Sequence, residues 1–315
     1  MGLASLCTDF HGVTLEVSAD RADVLVAVRP GLSRLPGGSG ATGVRIALRN
    51  CRQVPTPHTS SRLFRHGGVQ GLQDGAALWL VADGCAVRID EHATEASGWV
   101  TPAARGDGVS EVVHLALLEL LRRRGLYHVH AACVVSEAGA VLLPADGRAG
   151  KTTLTLAALR AGWRLVGDDA VWLRDGPDGI QALAWPEPLH VERETAHRLG
   201  LTDSLGAPAS AGRWELDPER AFPGSCVASA RPIAVVFPVI AATETSGLTS
   251  LGRAEALARL LRQSPLLFTH LERAGGHLAV LRRLVTQCRC AELRSGAEVL
   301  SGVLPEALRA GLGLS

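Results

Sequence analysis

The only lysine of this chain lies in a glycine-rich segment between a predicted strand and a predicted helix. This position strongly limits the type of domain and the kind of site that the chain can form. The chain has 32 Lys and Arg side chains, and all except Lys151 are arginine. The apolar run 140–144 predicts a strand, and Thr152–Ala161 predict an Ala/Leu-rich helix that ends at Gly162. In a strand–loop–helix unit of this kind, loop amides and a compact ammonium bind phosphate groups. The unit therefore predicts an α/β domain with a nucleotide-phosphate site, and a lysine exposed in a surface turn is the alternative.

The residues of this loop have separate expected roles. We expect Lys151 to reach the terminal phosphates of ATP and the Thr152 hydroxyl to bind Mg²⁺. Ala145 departs from the general pattern G-x-x-x-x-G-K-[ST], which has glycine there, and alanine would be strained if the backbone needed a positive φ. Backbone amides of the loop and of the first helical turn would surround the phosphates. The predicted nucleotide-binding residues are Gly147, Arg148, Ala149, Gly150, Lys151, Thr152 and Thr153.

Two adjacent aspartates follow the loop and its helix. Asp168 and Asp169 lie within Arg164–Leu173, an apolar run that predicts a strand. Adjacent side chains of a strand point to opposite faces, but at a strand end both can approach the phosphates. One would then hold the metal and the other accept a proton, as carboxylates do in phosphoryl transfer, and a solvated acidic turn is the alternative. His130 lies at the start of the strand before the loop, and a lone histidine of this kind is more often a packed or surface residue than a functional one.

The length of 315 residues favours two domains. Residues 1–105 contain short strand-like runs separated by Gly, Pro and Ser clusters, which predicts a smaller β-rich N-terminal domain. Residues 106–315 continue the α/β pattern and form the predicted catalytic domain. The runs that predict strands in the N-terminal part are Val13–Val17, Val24–Val28, Val44–Leu48, Ala77–Val81 and Ala86–Ile89.

Charge, hydropathy and cysteine usage limit the classes of partner. A formal net charge of +1 removes any general electrostatic argument for nucleic-acid or acidic-membrane binding. The longest apolar stretch, 232–242, is far shorter than a bilayer span. Seven scattered cysteines, an odd number, suit a reducing cytoplasm better than a disulfide framework. We therefore expect a soluble cytoplasmic protein without nucleic-acid or membrane partners, and a homo-oligomer is left open.

Two smaller patterns each have two interpretations. The triplet 122–124, three arginines, ends a predicted helix, where it could complement the helix dipole or dock an acidic peptide. Cys288 and Cys290 could place two thiols on one face of a strand, or form part of a metal site. The strand interpretation is favoured because no second ligand pair accompanies the cysteines at metal-site spacing.

The stretch 130–171 resembles the catalytic core of the HPr kinase/phosphorylase family, whose fold is related to that of phosphoenolpyruvate carboxykinase. Outside this stretch, the C-terminal half is similar only in its general α/β character. The resemblance implies a P-loop kinase core of that type, with ATP and Mg²⁺ as cofactors. The matching elements, which follow one another without a gap, are His130, Gly150-Lys151-Thr152, Gly162, Arg164-Leu165-Val166 and Asp168-Asp169.

The resemblance also implies a role for each site residue in a kinase that phosphorylates a serine or similar hydroxyl. Asp168, helped by His130, would take the proton of the acceptor hydroxyl, and Lys151 would stabilise the transferred phosphoryl group. Thr152 and Asp169 would bind the metal. Outside the matching elements, Glu187 is a further candidate for a metal carboxylate.

Departures from the family pattern bear on the acceptor. Arg148 stands where the family usually has glycine, and Trp185-Pro-Glu-Pro-Leu-His-Val replaces the expected Glu-Ile-Arg-Gly-x-Gly signature. These departures disfavour HPr as the acceptor, and the chain looks more like divergent kinases of the family that act on lasso-peptide precursors. We therefore expect a hydroxyl on a peptide or small protein. A small-molecule kinase and a nucleotide-binding regulatory module without turnover are the alternatives.

Overall fold

The computed structural model describes residues 4–38, 42–57, 60–209, 212–264, 267 and 274–313. Contacts divide the chain into two compact units, a first that runs to Leu126 and a second that begins at Tyr127. The sequence-based boundary at 105/106 lies one helix earlier. The helix between the two positions packs on strands of the first unit.

Among its described residues, the first unit forms one eight-stranded sheet and two helices. The helices are α1 (Ala22–Leu32) and α2 (Gly106–Arg122). The strands are β1 (Ala4–Phe10), β2 (Val13–Ala19), β3 (Thr42–Asn50), β4 (Ser61–His66), β5 (Val69–Asp74), β6 (Ala77–Ala82), β7 (Cys85–Ile89) and β8 (Glu95–Val100). Their order in the sheet is β1-β2-β3-β8-β7-β6-β5-β4. The pairs β2/β3 and β3/β8 are parallel, and the other neighbouring pairs are antiparallel.

The run Val24–Val28 is helical, so its prediction as a strand was wrong. It lies inside α1, where Val24, Leu25, Val28 and Leu32 are buried. These positions recur at helical spacing and form one apolar face, which packs against β1 and β2. Burial of that face outweighs the β propensity of three valines in five residues, because propensity is a weak preference that packing overrides.

Helix α2 packs on β6 and β7 of the first unit, and its terminal arginines are engaged within that unit. The side chains of Arg122 and Arg123 are largely enclosed and form ion pairs with Glu119 at 2.6 and 3.0 Å. Arg123 also donates to the backbone carbonyls of Asp90 and Ala93. Two of the three arginines therefore stabilise the unit from inside, which disfavours the interpretation of the triplet as a peptide-docking site.

In the part that the structure describes, the second unit contains three sheets and six α-helices. Its helices are α3 (Lys151–Arg160), α4 (Arg193–Arg198), α5 (Pro218–Ala221), α6 (Arg253–Arg262), α7 (Ala274–Gln287) and α8 (Glu306–Leu312), with short 3-10 helices at Thr202–Ser204 and Ala297–Ser301. Its strands are β9 (Leu126–Val129), β10 (Ala131–Ser136), β11 (Gly139–Pro144), β12 (Arg164–Gly167), β13 (Val171–Gly176), β14 (Gly179–Ala184), β15 (Leu189–Glu192), β16 (Leu205–Pro208), β17 (Arg213–Leu216), β18 (Ser229–Ala230), β19 (Pro232–Ile240), β20 (Gly247–Ser250) and β21 (Arg289–Ser295).

A six-stranded sheet of order β12-β10-β11-β19-β21-β20 forms the centre of the second unit. Alternate residues of its strands point to opposite faces, so each face has its own hydrophobic core. Val141 and Leu143 pack with α3, α4 and α8 on one face. Ala140 and Leu142 pack with α6, α7 and the four-stranded sheet β18-β14-β13-β9 on the other. The third sheet, β15-β17-β16, lies on the α3 side.

Besides Arg231, between β18 and β19, two segments carry the chain from one of the larger sheets to the other. The predicted strand Arg164–Leu173 is in fact two strands, because β12 belongs to the six-stranded sheet and β13 to the four-stranded sheet. The break covers Asp168–Ala170, and a Cβ on Gly167 would lie 2.9 Å from the Ala170 carbonyl oxygen, so the turn needs glycine there. The second crossing is His130, between β9 and β10. Both of these segments therefore contain residues for which the sequence predicts a functional role.

The structure also bears on the cysteine pair and on the expectation about membrane-spanning segments. Cys288 and Cys290 are buried, free thiols in one hydrophobic core, as expected for two thiols on one face. Burial raises the pKa of Cys288 to about 12. Within the described residues, no helix is long and apolar enough to cross a bilayer.

We predict that Glu119→Ala lowers the free energy of unfolding of the first unit by about 3–5 kcal/mol, because it leaves two buried guanidinium groups without their carboxylate. Urea titration, with hydrogen exchange of the β3 and β7 amides as a local readout, measures the loss. The matched control is Asp107→Ala, which removes an exposed ion pair with Arg105 on the same helix and should cost less than about 1 kcal/mol. Equal losses in the two variants would contradict the structural role of Glu119.

Candidate functional site

The loop between β11 and α3, residues 145–150, presents backbone amides at a helix N-terminus. Gly150 caps α3 in the left-handed conformation, at φ +89°. The first helical hydrogen bond is donated by the Leu154 amide to the Gly150 carbonyl, so the amides of the first turn have no acceptor inside the helix. Thr153 lies in this turn, half-buried. The loop therefore has the amide-rich geometry that binds phosphate groups.

The loop position that adopts a positive φ is not the one that the glycine pattern predicts. Arg148 has a φ of +67°, whereas Ala145 is not among the described non-glycine residues with positive φ. Alanine is therefore unstrained at 145. The left-handed position is occupied by arginine, at a cost of about 1–2 kcal/mol.

Lys151 is buried, and its ammonium is held from three sides. Its Nζ donates to the Ala145 carbonyl at 2.6 Å and to His130 Nε2 at 2.8 Å. Asp169 Oδ1 lies 3.8 Å from the same nitrogen. Burial lowers the Lys151 pKa, and the nearby carboxylates, Asp169 first, oppose that shift. The ammonium is thus fixed at the loop.

The contacts of His130 define its tautomer. Its Nδ1 lies 3.1 Å from the Asp169 carbonyl oxygen, which can only accept, so Nδ1 carries the proton. Its Nε2 is then free to accept from Lys151. Burial, with the Lys151 charge as second cause, lowers the His130 pKa, which favours this neutral form. In this arrangement His130 positions Lys151 and ties the two sheet crossings together.

Asp168 is almost fully enclosed, with 3% of its surface exposed. Its two carboxylate oxygens accept hydrogen bonds from the hydroxyls of Thr152 and Thr155, both at 2.7 Å. Burial raises the Asp168 pKa, and the two threonine hydrogen bonds oppose the shift. Sequence reasoning missed Thr155. The signal was its position three residues after Thr152, which places both hydroxyls on one face of the helix.

Asp169 and Glu187 complete the acidic part of the site. The Asp169 side chain is 37% exposed, so it is the more accessible of the two aspartates. Glu187 is half-buried, but its Oε1 is enclosed and has no hydrogen-bond partner among the described residues. Burial, then repulsion from Asp169 and Asp168, raises the Glu187 pKa to about 8. Glu187 therefore lies close to both aspartates.

This donor set fits a magnesium ion shared with phosphates better than a closed metal site. In the described part of the chain, no three His, Cys, Asp or Glu side chains form a group that could hold a metal. Mg²⁺ usually takes one or two carboxylates and completes its shell with water and substrate phosphates. The Thr152 hydroxyl, the enclosed Glu187 oxygen and the neighbouring aspartates suit that use.

Gln263, at the end of α6, also joins the site and was not foreseen. Its side chain donates to Asp146 of the loop at 2.7 Å, and its carbonyl accepts the His130 amide at 2.8 Å. No local sequence signal indicates this contact, because the two partners are far apart in the chain. One region of the second unit thus contains the predicted loop residues, His130, the two aspartates and Glu187.

No family model and no curated protein matches the chain. Among solved structures, one that matches is the Hpr(Ser) kinase/phosphatase from Coxiella burnetii. It is 10% identical with a TM-score of 0.31, and the match covers 58% of this chain and 95% of that chain.

We predict that Glu187→Gln stabilises the ligand-free protein increasingly as the pH rises from about 4.5 to 8. In that window the unfolded protein ionises Glu187 while the folded protein keeps it protonated, so the wild type loses stability as the pH rises. Glutamine removes this dependence, and the difference should grow by at most about 1.4 kcal/mol per pH unit. Urea titrations of both proteins at pH 5 and pH 8 measure it. A difference that shrinks with rising pH would contradict the raised pKa.

Proposed function

We propose that this protein is an ATP- and Mg²⁺-dependent kinase that phosphorylates a hydroxyl group. The observation that supports this most is the convergence of Lys151, His130 and Asp169 at the phosphate-binding loop, with Asp168 hydrogen-bonded to Thr152. A loop that only binds nucleotide needs the ammonium and a metal ligand. A second, accessible carboxylate beside the ammonium is the additional group that a transfer reaction uses.

We propose a division of roles between the aspartates that reverses the one implied by the family resemblance. Asp168 is enclosed and both its oxygens accept threonine hydroxyls, so it is suited to hold Thr152 for Mg²⁺ rather than to meet a substrate. Asp169 is partly exposed and lies beside Lys151, so it is suited to accept the proton of the acceptor hydroxyl. Thr152 and Glu187 would hold the ion. Bound Mg²⁺ would neutralise charge on the phosphate oxygens.

In the proposed reaction, the acceptor oxygen attacks the γ-phosphorus of ATP. A new oxygen–phosphorus bond forms, the bond to the β,γ-bridging oxygen breaks, and ADP leaves with that electron pair. The hydroxyl proton passes to the Asp169 carboxylate. Lys151 stabilises the negative charge of the transferred group, and His130 keeps the ammonium in place through Nε2.

The proposed acceptor is a serine or similar hydroxyl on a peptide or small protein. The chain carries a separate β-rich unit that phosphorylation of a small metabolite would not require, which favours a macromolecular acceptor. Incubation with ATP, Mg²⁺ and candidate precursor peptides should add the mass of one HPO₃ unit to a peptide. Transfer to a metabolite alone would favour a small-molecule kinase. Nucleotide binding without any transfer would favour a regulatory module.

We predict that Lys151→Ala abolishes phosphoryl transfer, because it removes charge stabilisation worth several kcal/mol in the transition state. Lys151→Arg should also be strongly impaired, since a planar guanidinium does not replace a compact ammonium held by a carbonyl and an imidazole. Arg282→Ala, which removes an exposed cation of the same unit on α7, is the control and should keep full activity. Transfer by Lys151→Ala within a few-fold of the wild-type rate would refute the assignment of the loop.

We predict that Asp169→Asn lowers the transfer rate by roughly 10²–10⁴-fold with little change in nucleotide affinity, as expected for loss of a general base. Asp168→Asn should instead weaken the Mg²⁺-dependent part of ATP affinity, and Thr155→Val should reproduce part of that loss. Calorimetric titration of ATP with and without Mg²⁺, combined with single-turnover kinetics, separates the two effects. A purely kinetic defect in Asp168→Asn, with weakened metal-dependent binding in Asp169→Asn, would restore the opposite division of roles.

A further inference from the structure

The connections of the six-stranded sheet create a crevice beside the phosphate-binding loop. β11 and β19 are parallel neighbours. The connection that leaves β11 forms α3 on one face of the sheet, and the one that leaves β19 leads to α6 and α7 on the other. Where connections diverge in this way, a crevice opens at the carboxyl ends of the two strands, and α/β proteins bind ligands there.

An open cleft of about 520 Å³ lies at this position. A volume of this size is typical of sites for small molecules and cofactors. One wall is the loop after β11, a second is the end of β19, and the third is α6. The lining residues are Pro144, Ala145, Asp146, Arg148, Ala149, Phe237, Pro238, Val239, Ile240, Glu255, Ala258, Arg259, Arg262 and Gln263.

The strand register places this cleft on the opposite side of the loop from the catalytic groups. Ala131, next to His130, pairs with Pro144 at the end of β11, and Gly167, next to Asp168, pairs with Cys133 in β10. Along this edge of the sheet the order is therefore the aspartates, His130, the loop and then the cleft. If the terminal phosphate of a nucleotide lies at Lys151 and Asp169, its base and ribose can extend towards the cleft.

The chemistry of the cleft suits a nucleoside. Val239 and Ile240 are exposed, 42% and 65%, and offer an apolar platform beside the loop. Ile240 lies near the loop itself, since a Cβ on Gly150 would be 3.7 Å from its Cγ1. Such a surface can pack against the face of a base.

Of the three arginines that line the cleft, two are available to contact a ligand. Arg259 is engaged by Glu255 and Glu292 and lies over the Phe237 ring. Arg148 and Arg262 form no hydrogen bond or ion pair with any residue that the structure describes. Guanidinium groups stack on aromatic planes as well as pairing with anions, so both can contact a nucleoside.

We propose that the base and ribose of the nucleotide bind in this cleft, against Val239, Ile240 and α6, with Arg148 and Arg262 beside them. The proposal rests on the proposed function, because it requires that the loop bind the phosphates. It adds a nucleoside subsite, built by β19 and α6, that the loop motif does not contain. Occupation of the cleft by the acceptor instead is an outcome of the test.

The test fills the cleft without touching the loop. Ala258 is exposed on α6 and lines the cleft, so Ala258→Trp introduces a large ring there. Calorimetry with Mg²⁺ compares two probes, ATP and inorganic tripolyphosphate, which carries the phosphates without a nucleoside. We expect Ala258→Trp to weaken ATP binding at least about tenfold, equivalent to ~1.4 kcal/mol, and to leave tripolyphosphate binding within about twofold. Ala310→Trp, at an exposed position of α8 outside the cleft, is the matched control and should change neither.

The same titrations separate failure of the subsite from failure of the proposed function. Unchanged ATP affinity in Ala258→Trp, or tripolyphosphate binding the wild type as tightly as ATP does, would overturn the nucleoside subsite while leaving the loop assignment intact. Reduced acceptor phosphorylation with unchanged ATP affinity would assign the cleft to the acceptor and also overturn the proposal. If Lys151→Ala weakens neither probe, the phosphate-binding loop fails, and the subsite fails with it.

Discussion

The site depends on one hydrogen bond between two of the segments where the chain passes from sheet to sheet. His130 Nδ1 donates to the Asp169 carbonyl, which links the crossing before β10 to the crossing after β12. This bond fixes the imidazole so that Nε2 faces the Lys151 ammonium. Without it, either crossing could shift, and the ammonium would lose one of its acceptors while staying buried, at a cost of about 1–3 kcal/mol. The geometry of the proposed phosphate site is thus set by the packing of two sheets.

Burial destabilises the charged forms of several groups in the ligand-free site. Burial lowers the pKa of Lys151 and raises those of Asp168 and Glu187, so each of these groups is less stable charged than it would be in water. Two threonine hydroxyls offset part of the cost at Asp168. The enclosed Glu187 oxygen has no such compensation among the described residues. A ligand that brings both phosphate and a divalent cation would satisfy the ammonium and the carboxyl groups together, which is the charge pattern of a nucleotide with Mg²⁺.

Local sequence signals predicted the elements of the site but not its connections. The loop, α3 and the acidic pair follow from short-range rules of glycine, periodicity and strand alternation. The break of Arg164–Leu173 into two strands does not, because each half has the same apolar character and only sheet packing separates them. Val24–Val28 became helical for the same reason, through burial of one face. The Gln263 contact and the cleft bring together segments distant in sequence, and their partners can be identified only once the sheet order is known.

Arg148 shows why the departures from a glycine pattern are informative. Of the two positions at which the loop lacks an expected glycine, 145 needs no positive φ, so its alanine is neutral for the backbone. Position 148 does adopt a positive φ, and glycine would adopt it without strain. An arginine kept at such a position costs stability, and strain of this kind concentrates where a side chain serves a ligand. The Arg148 side chain lines the cleft, on the side where the nucleoside is proposed to bind. The strain in the loop and the chemistry of the cleft therefore favour the same occupant, although neither observation depends on the other.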